Sequence, residues 1–281
     1  MSKFTNAVSI VIPVYNKIEI IENCILLNIN HSTLQNEWIL IDNHSNDDTK
    51  IGLLRIQKYC DAKGHQCIII TETENTGVAK AWNKGISLSN QQYVCILNND
   101  CVMMPAWDKL LIQEIELQRF HIISPLVLES EMFRKPYGLN DFLKGEKKYD
   151  YYSEKNKNNN REGFFGGVVI FAKKATFEKV GNFDEQLWLS LEEMDYLYRA
   201  QKMGLITAMI GEINAFHLSG LTRNTMKWDG GNKNQLYFEQ KWGWNYEKEE
   251  NRWYNRWIKR WQRYVWRYME RFSGVNLILP K

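Results

Sequence analysis

Short apolar runs alternate with amphipathic segments through the first hundred residues of the chain. The apolar runs are brief and rich in Val, Ile and Leu, as expected of strands that are covered on both faces, and they span residues 8–15, 38–42, 67–71 and 93–97. The segments between them carry apolar residues at helical spacing and span residues 17–30, 51–59 and 75–85. This alternation predicts an α/β protein with a nucleotide-binding βαβ sheet.

Beyond residue 100 the pattern is less regular. It predicts helices at 107–117, 175–180 and 189–203 and strands at 121–128, 166–172 and 206–210. Residues 129–162 lose periodicity and end in an Asn- and Lys-rich run, which is typical of a surface loop. Within the first half, we expect Asp47 or Asp48 to cap the second helix and the third helix to end near Gly85.

Polar side chains follow two of the predicted strands at the point where each strand ends. Asp42 ends the second strand, and Asn98, Asn99 and Asp100 follow the fourth. In an open α/β sheet, ligands are held at this edge. The Asp100 carboxylate and neighbouring amide oxygens are suitable ligands for a hard divalent cation, and phosphates would supply its remaining ligands. Asn-Asn-Asp is also a good turn sequence, so on these residues alone both interpretations stay open.

The composition indicates a soluble globular protein. The 281 residues suffice for one large domain or one domain with an appendage, and 44% of them are hydrophobic. The cysteines, at 24, 60, 67, 95 and 101, have neither metal-ligand spacing nor a secreted disulfide pattern, which favours reduced thiols in the cytoplasm. No signal peptide is apparent, and no apolar run approaches the roughly 18 residues that span a bilayer.

The net charge of +3 is unevenly distributed along the chain. Residues 251–271 contain seven Lys or Arg against one Glu, and Trp and Tyr recur there at helical spacing. Such a helix suits an anionic membrane surface, which would place the protein on the inner face of the cell membrane. Packing against the catalytic domain or a second subunit, as in a homo-oligomer, and contact with nucleic acid are the alternatives. We therefore predict a main domain at 1–222, with halves 1–101 and 102–222, and a helical appendage at 223–281.

Taken in order, these landmarks resemble the family-2 glycosyltransferases of the GT-A fold. The matching segments are 9–16 (SIVIPVYN), 41–49 (IDNHSNDDT), 75–85, 97–100 (LNND), 166–167 (GG), 180–185 (VGNFDE), 191–195 (LEEMD) and His217. The resemblance covers about residues 7–222. The most similar branch includes rhamnosyl- and galactofuranosyl-transferases of bacterial surface glycans.

The resemblance implies a nucleotide-sugar site. Tyr15 would stack on the pyrimidine, and Asp42 would accept a hydrogen bond from the ring N–H. Lining the donor ribose and diphosphate would be Asn75, Gly77 and Asn83, and the other implied donor-site residues are Pro13, Asn16, Asn98, Asn99 and Gly167. The structural alternatives are a core position for Tyr15, a turn or cap for Asp42, and a turn with a helix end for residues 75–85.

The resemblance also implies a metal and a general base. Asp100 and His217 would hold Mn²⁺ or Mg²⁺ between the two phosphates, and Asn98 stands where many relatives have the first acid of a DXD motif. A carboxylate near the acceptor hydroxyl serves as general base. Relatives carry a Glu-Asp pair where this chain has Glu192 and Glu193, so Glu193 is the expected base and Asp195 the reserve. A structural histidine and a solvated helix face are the alternatives.

We therefore expect a metal-dependent inverting hexosyl- or deoxyhexosyl-transferase without a covalent intermediate. The donor would be a UDP- or dTDP-sugar, and the acceptor a glycan or lipid-linked saccharide of surface polysaccharide assembly. One alternative is a transferase that glycosylates modified DNA bases. Another is a catalytically inactive module that binds nucleotide sugars or glycans.

Overall fold

A computed structural model of the chain describes residues 7–129, 160–218 and 231–243. The tail at 251–271, nearly all of the predicted surface loop and the predicted domain boundary at 222/223 lie outside the described residues. Contacts divide the chain into two compact units, 1–229 and 230–281. The described part of the second unit is one helix and the residue that follows it.

The described strands, numbered in chain order, are β1 Val8–Val14, β2 Glu37–Asp42, β3 Gln66–Thr71, β4 Tyr93–Leu97, β5 Cys101–Met103, β6 Ile122–Glu129, β7 Arg161–Glu162, β8 Val169–Lys173 and β9 Thr207–His217. The described helices are α1 Ile18–His31, α2 Asp47–Ala62, α3 Val78–Leu88, α4 Trp107–Glu116, α5 Lys174–Val180, α6 Glu192–Lys202 and, in the second unit, α7 Gly231–Trp242.

The strands form one mixed sheet in the order β3-β2-β1-β4-β8-β6-β9-β5, and β7 pairs with β9. β1 to β4 are parallel, so their carboxyl ends lie at one edge of the sheet. β8 is antiparallel to β4 and begins at that edge, where Val169 faces Leu97. β6 is antiparallel to β8, and β9 is parallel to β6, so β9 also ends there. This edge is called the carboxyl edge below.

The core lies on both faces of the sheet. Successive residues of β1 point to opposite faces, because side chains alternate along a strand, and all seven residues of this strand are buried. One face packs on α1, α2 and α4 through side chains that include Ile10, Ile12, Ile21, Ile56 and Trp107. The other face packs on α3, α5 and α6 through side chains that include Val11, Ile39, Trp82, Phe177 and Tyr196. Each large aliphatic side chain buried in this way contributes about 1.5–3 kcal/mol to stability.

The structure has two strands that the pattern did not predict, β5 and β7, because three- and two-residue strands are too short to show periodicity. The separate strand predicted at 206–210 is part of the longer β9. The end of α3, predicted near Gly85, lies three residues further on, at Leu88. Gly85 is instead a packing site, because a Cβ there would overlap the Val11 side chain.

The predicted cap of α2 was wrong by one position. Asn46 is the N-cap residue, and its Oδ1 accepts a hydrogen bond from the Thr49 backbone N at 3.0 Å. Asp47 and Asp48 lie in the first turn, where negative charge is favoured by the helix dipole.

Within the described ranges, no helix combines the length and apolar character needed to cross a membrane. The five cysteines are all buried.

Candidate donor and carboxylate site

Asp42 places a buried carboxylate at the carboxyl end of β2. The residue is fully buried, and its Oδ1 accepts a hydrogen bond from the Ser45 backbone N at 2.9 Å. Its Oδ2 is buried and has no hydrogen-bond partner among the residues that the structure describes. A buried carboxylate oxygen without a donor is costly, which makes this atom a ready acceptor for an N–H of a bound ligand.

The turn after β1 is fastened to the turn after β2. Asn16 has φ 53°, in the left-handed region, and its backbone N donates to Ser45 Oγ at 2.9 Å. Its Oδ1 accepts a hydrogen bond from the Asn46 backbone N at 2.9 Å. Tyr15, which precedes it, is partly buried directly after β1. The Asn16 side chain is thus a structural link between two turns that flank Asp42.

A short loop at 75–77, called the donor loop below, is held against the end of β2. Asn43 is buried and donates through Nδ2 to the Gly77 carbonyl oxygen at 3.1 Å. Its Oδ1 accepts hydrogen bonds from the Thr76 backbone N at 2.9 Å and from Thr76 Oγ1 at 3.0 Å. Within the loop, Asn75 Oδ1 accepts a hydrogen bond from the Gly77 N at 3.1 Å. Asn43 was not among the predicted site residues, although it directly follows Asp42 in the same motif.

The Asn83 carboxamide forms hydrogen bonds to other residues of the protein. Its Oδ1 accepts a hydrogen bond from the Phe183 backbone N at 2.8 Å. Its Nδ2 donates to the Phe183 carbonyl oxygen and to Glu185 Oε1, both at 3.0 Å. Asn83 therefore holds the segment around Phe183 in place, and its contact with a donor stays a prediction.

Asp100 and His217 meet at the carboxyl edge although they are 117 residues apart. His217 Nε2 lies 3.0 Å from Asp100 Oδ1, and both residues are buried. The pairing of β5 with β9 places Cys101 opposite His217, and the Leu218 backbone N donates to the Asp100 carbonyl oxygen at 2.9 Å.

The neighbouring Asn98 and Asn99 bind the strands on either side. The Asn98 backbone N donates to the Val168 carbonyl oxygen at 2.9 Å, and Asn99 Nδ2 donates to the Pro13 carbonyl oxygen at 2.9 Å. Both asparagines are partly exposed. Their backbone and side-chain bonds fix the turn that delivers Asp100.

The protein ligands available at this position suit a divalent cation, and phosphate oxygens would complete the coordination of that cation. Asp100 supplies a carboxylate and His217 an imidazole, ligand types that divalent metals accept. The described residues contain no group of three or more His, Cys, Asp or Glu placed to hold a metal by themselves. Burial and, after it, the Asp100 carboxylate raise the pKa of the Cys24 thiol to about 12.

The acidic residues at the start of α6 differ in their surroundings. Glu192 is buried and Glu193 is partly exposed. Glu193 lies against Gly167, where a Cβ would come within 3.1 Å of the Glu193 Cβ and 3.2 Å of Trp82 Cη2. Because Gly167 precedes β8 and the next residue, Val168, bonds to Asn98, Glu193 lies at the carboxyl edge.

Asp195 is fully buried in an ion pair. Its Oδ2 lies 2.9 Å from Arg199 Nε, and Arg199 also donates to the carbonyl oxygens of Val180 at 2.8 Å and Asn182 at 2.6 Å. This arrangement ties α6 to the end of α5. The reserve role of Asp195 as general base stays a prediction, while the contacts give it a structural role.

Comparison with known proteins identifies the family. A family model described as glycosyl transferase family 2 matches residues 9–181 of the chain. The chain belongs to glycosyl transferase family 2. The amylovoran biosynthesis glycosyltransferase AmsB of Erwinia amylovora is 29% identical over 217 residues, which are 73% of this chain and 67% of that protein.

Solved structures of other glycosyltransferases share the fold of this family-2 chain. The crystal structure of GalNAc-T7 with UDP, GalNAc and Mn²⁺ matches with a TM-score of 0.59 at 15% identity, over 76% of this chain and 43% of that one. The mannosyltransferase PcManGT of Pyrobaculum calidifontis, in complex with GDP-Man and Mn²⁺, matches with a TM-score of 0.58 at 18% identity, over 76% and 57%. The chain thus spans about half the length of these two proteins. The GT-A fold predicted from the sequence is confirmed.

Proposed function

We propose that this family-2 chain is a metal-dependent inverting glycosyltransferase. It moves a hexosyl or deoxyhexosyl group from a nucleoside diphosphate to a hydroxyl of a glycan or lipid-linked saccharide. The observation that supports this proposal is that three groups suited to different parts of the reaction lie at the same edge of the sheet. These are a buried acceptor oxygen on Asp42, the Asp100–His217 pair and the Glu193 carboxylate.

The donor base is proposed to bind at Asp42. Its unpartnered Oδ2 is an acceptor, so it selects a base whose ring nitrogen carries a proton, as in uracil, thymine and guanine. Stacking on Tyr15 favours the pyrimidines among these, hence a UDP- or dTDP-sugar. Proteins of similar fold were solved with UDP and with GDP-Man, which is consistent with this class of donor.

The diphosphate is proposed to lie beside Asp100 and His217, which would hold Mn²⁺ or Mg²⁺. When bound, the cation neutralises negative charge that develops on the leaving diphosphate. Asn98 and Asn99 lie next to Asp100 at the carboxyl edge and have amide groups within the same turn. The donor loop, with Asn75 and Gly77, would border the ribose and phosphates.

The transfer is proposed to be a single displacement with Glu193 as general base. The acceptor oxygen forms a bond to the anomeric carbon while the bond from that carbon to the phosphate oxygen breaks, and the nucleoside diphosphate leaves with the electron pair. The acceptor proton passes to the Glu193 carboxylate. Its partial exposure and its place over Gly167 support this choice over the buried Glu192 and the ion-paired Asp195.

Assembly of a bacterial surface polysaccharide is the proposed setting. The 29% identical relative is named for amylovoran biosynthesis, and the sequence motifs resemble the rhamnosyl- and galactofuranosyl-transferase branch. We further propose that the enzyme works in the cytoplasm, with the basic aromatic segment at 251–271 resting on the inner face of the membrane. The same segment is our candidate surface for a homo-oligomer.

The test is thermal-shift and turnover screening of UDP-, dTDP- and GDP-sugars, with and without Mn²⁺. We expect one sugar nucleotide to raise the melting temperature and to be hydrolysed slowly in the presence of the metal. Asp42→Ala should abolish the nucleotide shift, and Asp100→Ala the metal dependence. Glu193→Gln should keep the shift and lose turnover. Binding without turnover in the wild type would favour the inactive binding module, and no shift with any donor would overturn the proposed donor site.

A further inference from the structure

The segment at 183–188, called the bridging segment, runs along α3 and precedes the acidic start of α6. At its first end, the Asn83 side chain holds both backbone groups of Phe183, at 2.8 and 3.0 Å. The Phe183 ring also packs on Trp82, with 5.0 Å between the ring centroids. Leu187, near the other end, is fully buried. The bridging segment is therefore fastened to α3 and not a loose connection.

At its second end, Trp188 closes over the donor loop. The Val78 backbone N, one of the first N–H groups of α3, donates to the Trp188 carbonyl oxygen at 2.9 Å. These groups have no partner within a helix, so Trp188 caps α3 through its backbone. Its indole lies on Gly77, where a Cβ would be 2.5 Å from Nε1 and 2.7 Å from Cγ of the tryptophan. Only glycine fits at this contact, and its φ of 82° points to the same residue type.

The same segment leads directly to the acidic pair. Glu192 lies four residues after Trp188, and the turn between them ends in Leu191, which has φ 69° in the left-handed region and directly precedes α6. Glu193 then packs against Gly167 and, through it, close to Trp82. A series of contacts thus leads from the donor loop to Trp188, the chain continues from Trp188 to Glu193, and the contact of Gly167 with Trp82 leads back to α3.

We infer that Trp188 is a positioning residue that couples the donor loop to Glu193, an inference that rests on the proposed function. The donor loop has its own fastening to β2 through Asn43, which does not involve Trp188. Loss of the indole therefore loosens the end of the bridging segment next to α6. The donor loop keeps its position, because its hydrogen bonds to Asn43 remain. Trp188 acts on the placement of the general base and not on donor affinity.

The test compares Trp188→Ala, Trp188→Phe and Gln186→Ala in steady-state transfer assays. Trp188→Ala should lower kcat by about 10- to 100-fold, since small displacements of a catalytic group cost rates of this order. The KM for the donor should stay within about threefold, as the Asn43 contacts remain. Trp188→Phe should recover most of kcat because it restores an aromatic ring. Gln186→Ala is the matched control, an exposed side chain in the same segment that should behave as wild type.

A double-mutant cycle with Gly77→Ala adds a second readout. The new methyl group overlaps the indole in the wild type, and this overlap is removed once Trp188 is alanine, while the backbone strain at φ 82° is the same in both backgrounds. When the two losses of kcat are expressed as changes in activation free energy, the change in the double variant should therefore be smaller than the sum of the changes in the two single variants.

Each outcome bears on the inference. Unchanged kcat in a folded Trp188→Ala variant, or a rise in donor KM that matches the fall in kcat, would overturn it. Should the alanine variant fail to fold, Trp188→Leu tests the same prediction. Its kcat should be lower than that of the wild type and of Gln186→Ala, but still measurable. Full activity of Trp188→Leu would then overturn the coupling. Failure of the proposed function is distinct, because the wild type itself would neither bind nor transfer.

Discussion

Glu193 lies over Gly167 so closely that a Cβ at position 167 would come within 3.1 Å of the Glu193 Cβ. Gly167→Ala should therefore displace the proposed general base by a few tenths of an ångström. We expect transfer to fall by about 10-fold or more, while the free energy of unfolding changes by about 1 kcal/mol, as for a mild overpacking.

The neighbouring Gly166 offers a matched control for this substitution, because no atom of the described residues lies within 4 Å of a Cβ built there. Gly166→Ala should keep wild-type kcat in the same transfer assay. Equal activity of both alanine variants would show that the position of Glu193 is not set by its contact with Gly167.

Removing either member of the Asp100–His217 pair should weaken metal binding. We expect Asp100→Asn and His217→Gln each to raise the Kd for Mn²⁺ by about tenfold or more in the presence of a nucleoside diphosphate, since each removes one protein ligand. Electron paramagnetic resonance titration of free Mn²⁺ measures this without turnover. Asp47→Asn, which changes an exposed carboxylate at the start of α2, is the control and should leave the Kd unchanged. Tight Mn²⁺ binding by both pair variants would contradict the assignment.

The edge strand that directly follows Asp100, β5, depends on a side chain of α1. Asn28 is buried, donates through Nδ2 to the Cys101 carbonyl oxygen at 2.7 Å and accepts through Oδ1 from the Met103 N at 2.7 Å. Asn28→Ala leaves two buried backbone groups without partners and should reduce the free energy of unfolding by about 2–4 kcal/mol. Urea unfolding measures the loss.

The control for this prediction is on the same helix. Asn23→Ala removes an exposed carboxamide that bonds to the Glu19 carbonyl oxygen, and it should change the free energy of unfolding by less than about 0.5 kcal/mol. A similar small effect of Asn28→Ala would mean that β5 keeps its position without α1.

His65 should make stability depend on pH. Burial lowers the pKa of its imidazole in the folded protein, and its Nδ1 accepts a hydrogen bond from the Asn36 backbone N at 3.0 Å, which requires that nitrogen to be unprotonated. The unfolded chain then binds the proton more readily than the folded protein. The contribution of His65 to the free energy of unfolding is therefore fully present above the ordinary histidine pKa and is lost as pH falls below that value. Urea midpoints should fall more steeply from pH 7.5 to 5.5 in wild type than in His65→Gln. Parallel slopes would contradict the prediction.

The first half of the fold was predictable because its signals are local. β4 was predicted at its observed bounds, since five buried apolar residues follow a polar turn and lead directly into Asn98. Asp42 was likewise recognisable at the end of a buried strand. In each case the residues that carry the pattern also form the element.

The features that the sequence did not reveal depend on contacts between distant segments. Asn83 resembled part of a turn and helix end, but its partners are Phe183 and Glu185, about a hundred residues away. Trp188 had no motif of its own, and its role is defined by the missing side chain of Gly77. The cap at Asn46 was missed because Asp47 and Asp48 are equally good cap residues by type, and only the course of the backbone decides between them.

The position of β8 between β4 and β6 has a consequence for synthesis on the ribosome. β4 gains its second neighbour only when Val169–Lys173 emerges, more than seventy residues after β4 itself. Until then the nascent chain presents a strand of buried-type residues with an open edge, the kind of surface that pairs with other chains. The half with the four parallel strands, which we propose binds the nucleotide, is translated first, yet it cannot close its own sheet without the half that carries the acidic pair.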